Sequence, residues 1–299
     1  MPRRSRDRAR QDGSVTILVL WGVAIVFALL AAAGVTTRTE VLIAHNALAA
    51  ARVREAADGG TQLGLARLLA RRAESRMLFD GKRELWRDGD VTVAISIQDE
   101  AGKIDLNQAP FDLLQGLFEA VGRPEAEAML LACRIVEHRG GAPCQTPEGD
   151  QPAARRPALF AAPEELAALP GVGDRLYAEV ADFVTVASGA TAIDPAVAPR
   201  TVLLALPGAT AALVDAFLAV RESQQELEPE SIGFEALPGY AYLMASPLRD
   251  FTVSAVATAR DGARYRADLQ VRLTGQAIRP YEILAWRTPP LAPADAPRR

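Results

Sequence analysis

The chain has 299 residues, 49% of them hydrophobic and 23% charged, with a formal net charge of −4. That is enough material for one large or two ordinary domains built around an apolar core, which excludes a wholly disordered chain. The acidic balance argues against a general binder of nucleic acid or of anionic membrane surfaces.

Ser14 through Thr37 carries no charged residue and is built mainly of Val, Ile, Leu and Ala. At about 20 residues per hydrocarbon thickness, it is long enough to cross a bilayer as one helix. Arg3, Arg4, Arg6, Arg8 and Arg10 precede it, against only Asp7 and Asp12. Arginine-rich flanks stay cytoplasmic, so everything after Thr37 is expected on the far side. Three readings fit the segment. It can be a signal anchor, or a secretory signal cut near Ala31-Ala32-Ala33. It can also be a leader whose charged arm ends at Gly13, cleaved before Ser14 so that the apolar run is kept. In the last case 33 basic and 37 acidic residues fall by five and two, to 28 and 35, a net −7.

Residues 38–77 contain no Pro and are rich in Ala, Arg, Glu and Leu. They read as a continuation of the helix, with an imperfect 3.6-residue apolar period. A helix from 15 to the low seventies would be about 85–90 Å long at 1.5 Å per residue. Asp58-Gly59-Gly60 is an expected kink or break, and two helices joined there are the alternative.

Val91–Gln98 alternates apolar and polar residues over one strand length. The next strand signals come only at Phe251–Ala259, Tyr265–Thr274 and Tyr281–Trp286, with Asp261-Gly262 as a turn. A lone strand at 91–98 would leave an open edge, so the pattern points to one sheet with a helical region inserted after its first strand.

The inserted region repeats one device: a polar residue, Pro, a short helix, a Gly turn and a second helix. Helices are expected at 111–121, 174–187, up to Leu206-Pro207-Gly208, and at 210–223. Residues 139–157 read as an exposed loop, and the Pro-rich tail after Arg287 as disordered.

Leu169-Pro170-Gly171-Val172-Gly173 is the sharpest local motif, similar to the turn of helix-hairpin-helix modules. Such turns can present backbone N–H groups to a phosphate. Asp174, Glu179 and Asp182 follow it instead of a basic cluster, which favours a purely structural hairpin. Asp99, Glu100 and Asp105 cluster after the first strand, and Glu226, Glu228 and Glu230 further on. A solvated loop accounts for both groups, since neither spacing matches a Ca2+ loop. Cys133 and Cys144 read as a disulfide in an oxidising compartment. With His45 and His138 the only histidines, no metal site is expected. No nucleophile elbow, phosphate loop or dinucleotide fingerprint is present, so nothing supports catalysis.

Taken together, the Arg-rich arm ending at Gly13, the segment Asp99-Glu100-Ala101-Gly102-Lys103-Ile104-Asp105-Leu106-Asn107 and the run at 163–173 resemble one family. It is the K-type minor pseudopilin of type II secretion systems, also called general secretion pathway protein K. The resemblance implies an α+β fold, with a pilin-like long N-terminal helix and an antiparallel sheet. A large all-α domain of helix-hairpin-helix or SAM-like kind would be inserted after the first strand. The expected divisions are a cytoplasmic leader at 1–13, a transmembrane half-helix at 14–37 and a periplasmic helix with the first strand at 38–102. The inserted domain would occupy 103–248, the remaining strands 249–287 and the tail 288–299.

The resemblance further implies a non-enzymatic role at the tip of a periplasmic filament that helps export folded proteins. A prepilin peptidase would cut between Gly13 and Ser14, with N-methylation of Ser14. Leu18 would stand where most pilins carry a carboxylate. The implied partners are I- and J-type minor pseudopilins, the peptidase, the inner membrane and secreted substrates, without nucleic acid. The family often carries an acidic, Trp-containing run after the first inserted helix. Here that place holds Ile135-Val136-Glu137-His138-Arg139, so a Ca2+ site there stays open, and no other cofactor is expected. The competing reading is a membrane-anchored extracytoplasmic DNA-binding module of a competence-type system.

Overall fold

The structure is a computed structural model that describes residues 8–72, 79–141, 157–223 and 237–289, with the backbone alone for 8–15, 30–39 and 71–72. The chain divides into two units, 1–52 and 53–299. Helix α1 (Arg8–Arg72) supplies the described part of the first unit and opens the second. In the first unit the side chains from Ile17 to Leu29 are exposed. Among the described residues no helix is long and apolar enough to cross a membrane; of the uncharged stretch 14–37, side chains are described only for 16–29.

In the second unit α1 is unbroken at Gly59-Gly60, contrary to the expected break and the two-helix alternative. Its buried stripe is Val53, Ala56, Ala57, Gly60, Thr61, Gly64, Leu65 and Leu68, which follows the 3.6-residue period. A Cβ at Gly60 would lie 2.7 Å from Val93 Cγ1, and one at Gly64 would lie 2.3 Å from Val253 Cγ1. These glycines let the helix backbone lie directly on the sheet.

The sheet has five antiparallel strands in the order β1-β2-β5-β6-β7. They are β1 (Asp80–Asp88), β2 (Val91–Asp99), β5 (Asp250–Ala259), β6 (Arg264–Leu273) and β7 (Tyr281–Arg287). Four were expected close to these bounds. β1 was not, because its run of Asp, Lys, Arg and Glu side chains masks the alternation. The inserted region therefore leaves the sheet after its second strand. Val91, Val93, Ile95 and Ile97 of β2 face α1, and β2 pairs directly with β5, Val91 opposite Ala259 and Asp99 opposite Phe251.

Between these neighbours run a 3-10 turn (Glu100–Gly102), β3 (Ile104–Asp105), α2 (Phe111–Ala120) and α3 (Glu125–His138). A second 3-10 turn (Pro163–Ala168) leads to α4 (Gly173–Val180), β4 (Val184–Thr185), α5 (Arg200–Leu204) and α6 (Ala211–Ser223). Pro caps the starts of α2, α3 and α5 at Pro110, Pro124 and Pro199, where a missing N–H costs nothing. The helix expected at 174–187 stops at Val180, because Val184 and Thr185 pair in parallel with Ile104 and Asp105. This region has its own apolar core, separate from the core between α1 and the sheet.

Candidate functional site

The two cores meet through polar contacts, and these gather where the chain leaves β2 and returns to β5. Asp99, Glu100 and Asp105 are 1%, 1% and 2% exposed, so the expected solvated loop is instead a buried junction. Carboxylates are buried only when they are hydrogen-bonded or paired, and each of these is. Glu100 accepts from Lys103 Nζ at 2.6 Å, from Gln270 Nε2 of β6 at 3.2 Å and from the Thr185 hydroxyl of β4. One side chain thus joins the sheet to the inserted region.

Asp99 accepts from the Ala101 N–H at 2.9 Å and from Ser246 Oγ at 2.6 Å. Asp194 accepts from the N–H groups of Ala196 and Ser246, at 2.9 and 2.8 Å. Asp105 receives N–H groups of Asn107 and Gly189, both at 2.8 Å, and the Ser188 hydroxyl at 3.1 Å. Burial drives the carboxyls of Asp99, Asp105 and Asp194 up, Asp99 to about 7. Hydrogen bonds hold all three back in part, while neighbouring Asp194 and Glu100 push Asp99 further up.

Gly102 belongs to the same junction: a Cβ there would lie 2.7 Å from the Val197 carbonyl oxygen. Beside it Arg266 of β6 donates to Asp182 at 2.7 Å and to Asp268 at 2.9 Å. Burial pushes Asp182 up and Arg266 down, but attraction to Arg266 brings Asp182 below its usual value, and Asp268, then Asp182, raise Arg266, so the charged forms are favoured. Arg287 of β7 reaches Glu164 at 3.5 Å. The cavity lined by Glu100, Lys103, Asp182, Arg266, Asp268 and Gln270 holds ≈ 40 Å³, far below the few hundred Å³ of an organic ligand site.

The Leu-Pro-Gly motif proves to be a repeated turn. Gly171, Gly208 and Gly239 each follow Leu-Pro with φ of 82°, 82° and 76°. Val172 N–H donates to the Leu169 carbonyl at 3.1 Å, and Ala209 N–H to the Leu206 carbonyl at 2.9 Å. Leu169, Leu206 and Leu237 all enter the inserted core. The third copy, Leu237-Pro238-Gly239, carries the same local signal in the sequence. At the first copy Arg134 donates to the Pro170 carbonyl at 2.5 Å, and Arg123 donates to Glu179 at 2.5 Å. Two of the nearby guanidinium groups are thus spent on internal partners; the Arg175 side chain is 95% exposed, with only a 3.6 Å contact to Glu179.

The other sequence-predicted residues are scattered. Gly13 and Ser14 lie on α1, with backbone alone described, and Leu18 on α1 is 72% exposed. Cys133 on α3 is 5% exposed and disulfide-bonded; Cys144 lies outside the described residues, as do Glu226, Glu228 and Glu230. His138 stacks on Phe160 with centroids 4.4 Å apart, and Arg139 donates to the carbonyls of Leu106 and Ala109. The run 135–139 is therefore packing for the departing segment. Among the described residues no group of three or more His, Cys, Asp or Glu is placed to hold a metal ion.

No family model matches the chain, and no curated protein does. A chain of the crystal structure of the GspK-GspI-GspJ complex, from the type 2 secretion system of enterotoxigenic Escherichia coli, is similar in fold. The TM-score is 0.51 at 15% identity, covering 78% of this chain and 94% of that one. The fold is therefore pseudopilin-like.

Proposed function

We propose that the chain is a K-type minor pseudopilin of a type II secretion system. The observation that carries this reading is the topology: α1 lies on a five-stranded antiparallel sheet whose neighbours β2 and β5 are interrupted by a whole helical region. The similarity in fold to the enterotoxigenic complex supports it. On this reading the protein is anchored in the bacterial inner membrane by residues 14–37, with its N-terminus cytoplasmic and the second unit periplasmic. It is not an enzyme and joins I- and J-type pseudopilins.

Leu18 refines the reading to a position. In most pilins a carboxylate at the fifth mature residue can neutralise a neighbour's terminal ammonium. Removing one member of such a buried pair costs about 3–5 kcal/mol. A subunit with Leu18 would leave a neighbour unpaired inside a stack but not at its end. The helical insertion is likewise easier to carry at an end than between packed subunits. The protein therefore starts and caps the filament.

Co-purification of the tagged full chain with its I- and J-type siblings tests the assignment, and absence of both would overturn it. Immunogold mapping tests the position: signal at one end is expected, and signal along the shaft rules the cap out.

A further inference from the structure

The chain leaves the sheet at Asp99 and comes back through residues 244–249. Asp99 Oδ2 accepts from Ser246 Oγ at 2.6 Å, and Asp194 Oδ2 accepts from Ser246 N–H at 2.8 Å. Asp194 N–H in turn donates to the Ala101 carbonyl at 2.8 Å. Departure, return and inserted core are thus tied through one serine and two carboxylates, 1% and 6% exposed.

These carboxylates differ from others at the junction. Glu100 has Lys103, Asp250 has Arg249 and Arg272, and Asp182 and Asp268 share Arg266. Neither Asp99 nor Asp194 has a cation in ion-pair contact among the described residues. The charged groups that act on Asp99 are acidic, Asp194 and Glu100. Arg221 acts on Asp194, but it is shared with Asp80 and Glu222 and is spent on the carbonyls of Pro195 and Ala198.

We infer that Asp99, Ser246 and Asp194 form a proton-operated clamp, which when protonated holds segment 244–249 against the end of β2 and when ionised lets it open. Either state can bond Ser246 in the closed form, a protonated Asp99 by donating to its Oγ and an ionised one by accepting from it, so the two states differ in the charge that closure buries. Charge is what the buried site resists. Burial brings Asp99 to about 7, which places the transition near neutrality. A group raised in the folded state contributes stability at low pH that is lost as pH rises through the raised value.

Leu248 adds a second, independent sign of a held state. It has φ of 50°, is 47% exposed, and donates its N–H to Ser246 Oγ at 2.9 Å. A leucine stays in the left-handed region only where its surroundings over-determine it. Release of Ser246 frees Leu248 to relax, while Glu100 and Arg266 keep the inserted region docked. The clamp does not depend on the secretion reading.

Hydrogen exchange of the full chain in detergent tests it, at about pH 6 and about pH 8, with rates corrected for intrinsic chemical exchange. In the wild type, protection of peptides covering 244–249 is expected to fall by about tenfold or more, the scale for release of one proton. Peptides from β5 and β6 should hold their protection. Asp99→Asn keeps the shape without the charge and should abolish the fall. Ser246→Ala should lower protection at both pH values. Equal wild-type protection at the two pH values overturns the clamp, whatever the variants do. An undiminished fall in Asp99→Asn overturns it as well.

Discussion

Gly64 of α1 and Val253 of β5 approach so closely that a Cβ on the glycine would lie 2.3 Å from Val253 Cγ1. The same helix carries Gly59, around which nothing lies within 4 Å. Gly64→Ala is therefore expected to overpack the helix–sheet contact and destabilise by about 1–3 kcal/mol. Gly59→Ala should stabilise by about 0.5–1 kcal/mol, the ordinary cost of glycine inside a helix. Urea midpoints of the two variants check this, and equal shifts would contradict the close contact.

Glu100→Ala removes the shared acceptor of Lys103, Thr185 and Gln270. Breaking a buried pair from one side costs about 3–5 kcal/mol. Exposed Glu125→Ala should stay within about 0.5 kcal/mol. Thermal unfolding of both reads the difference.

Cys133 is bonded within the inserted core region, and we expect Cys144 as its partner. Denatured, unreduced protein should then show no free thiol. Replacing both by serine should cost about 3 kcal/mol for so short a loop. Full labelling of two cysteines would remove the bridge and weaken the periplasmic placement.

On the proposed reading, processing is expected at Gly13, ahead of the uncharged run. Intact mass of the membrane-bound form should give a chain beginning at a methylated Ser14. Gly13→Leu should keep the leader attached. A mature start at Gly34 would show secretory cleavage instead, and the filament reading would fall.

Duplex DNA should not bind at physiological salt. Arg134 and Arg123 are committed beside the first Leu-Pro-Gly turn, and the chain is net acidic. A salt-sensitive gel shift by the full chain would restore the DNA-binding alternative.

Much of the fold was legible because its signals are local. β2, β5 and β6 alternate apolar residues toward α1, a period visible along the chain itself. The Pro-initiated helices and Leu-Pro-Gly turns show the same local grammar. The missed elements depend on partners far along the chain. β1 is a charged edge whose strand state comes from pairing with β2. The stripe of α1 looked imperfect because Ala57, Gly60, Thr61 and Gly64 are small, and only the facing sheet shows them to be buried.

The candidate site divides in the same way. The acidic segment 99–107 stands out in the sequence, yet its residue types equally describe a solvated loop. Its burial arises from Thr185, Ser188, Asp194, Ser246 and Gln270, all distant in the chain. Sequence by itself determined the apolar helix, the strand alternation and the helical insertion, since these rest on local periodicity and turn chemistry. Tertiary structure alone decided which carboxylates lose their water, because desolvation depends on what packs above a side chain and not on its neighbours in sequence.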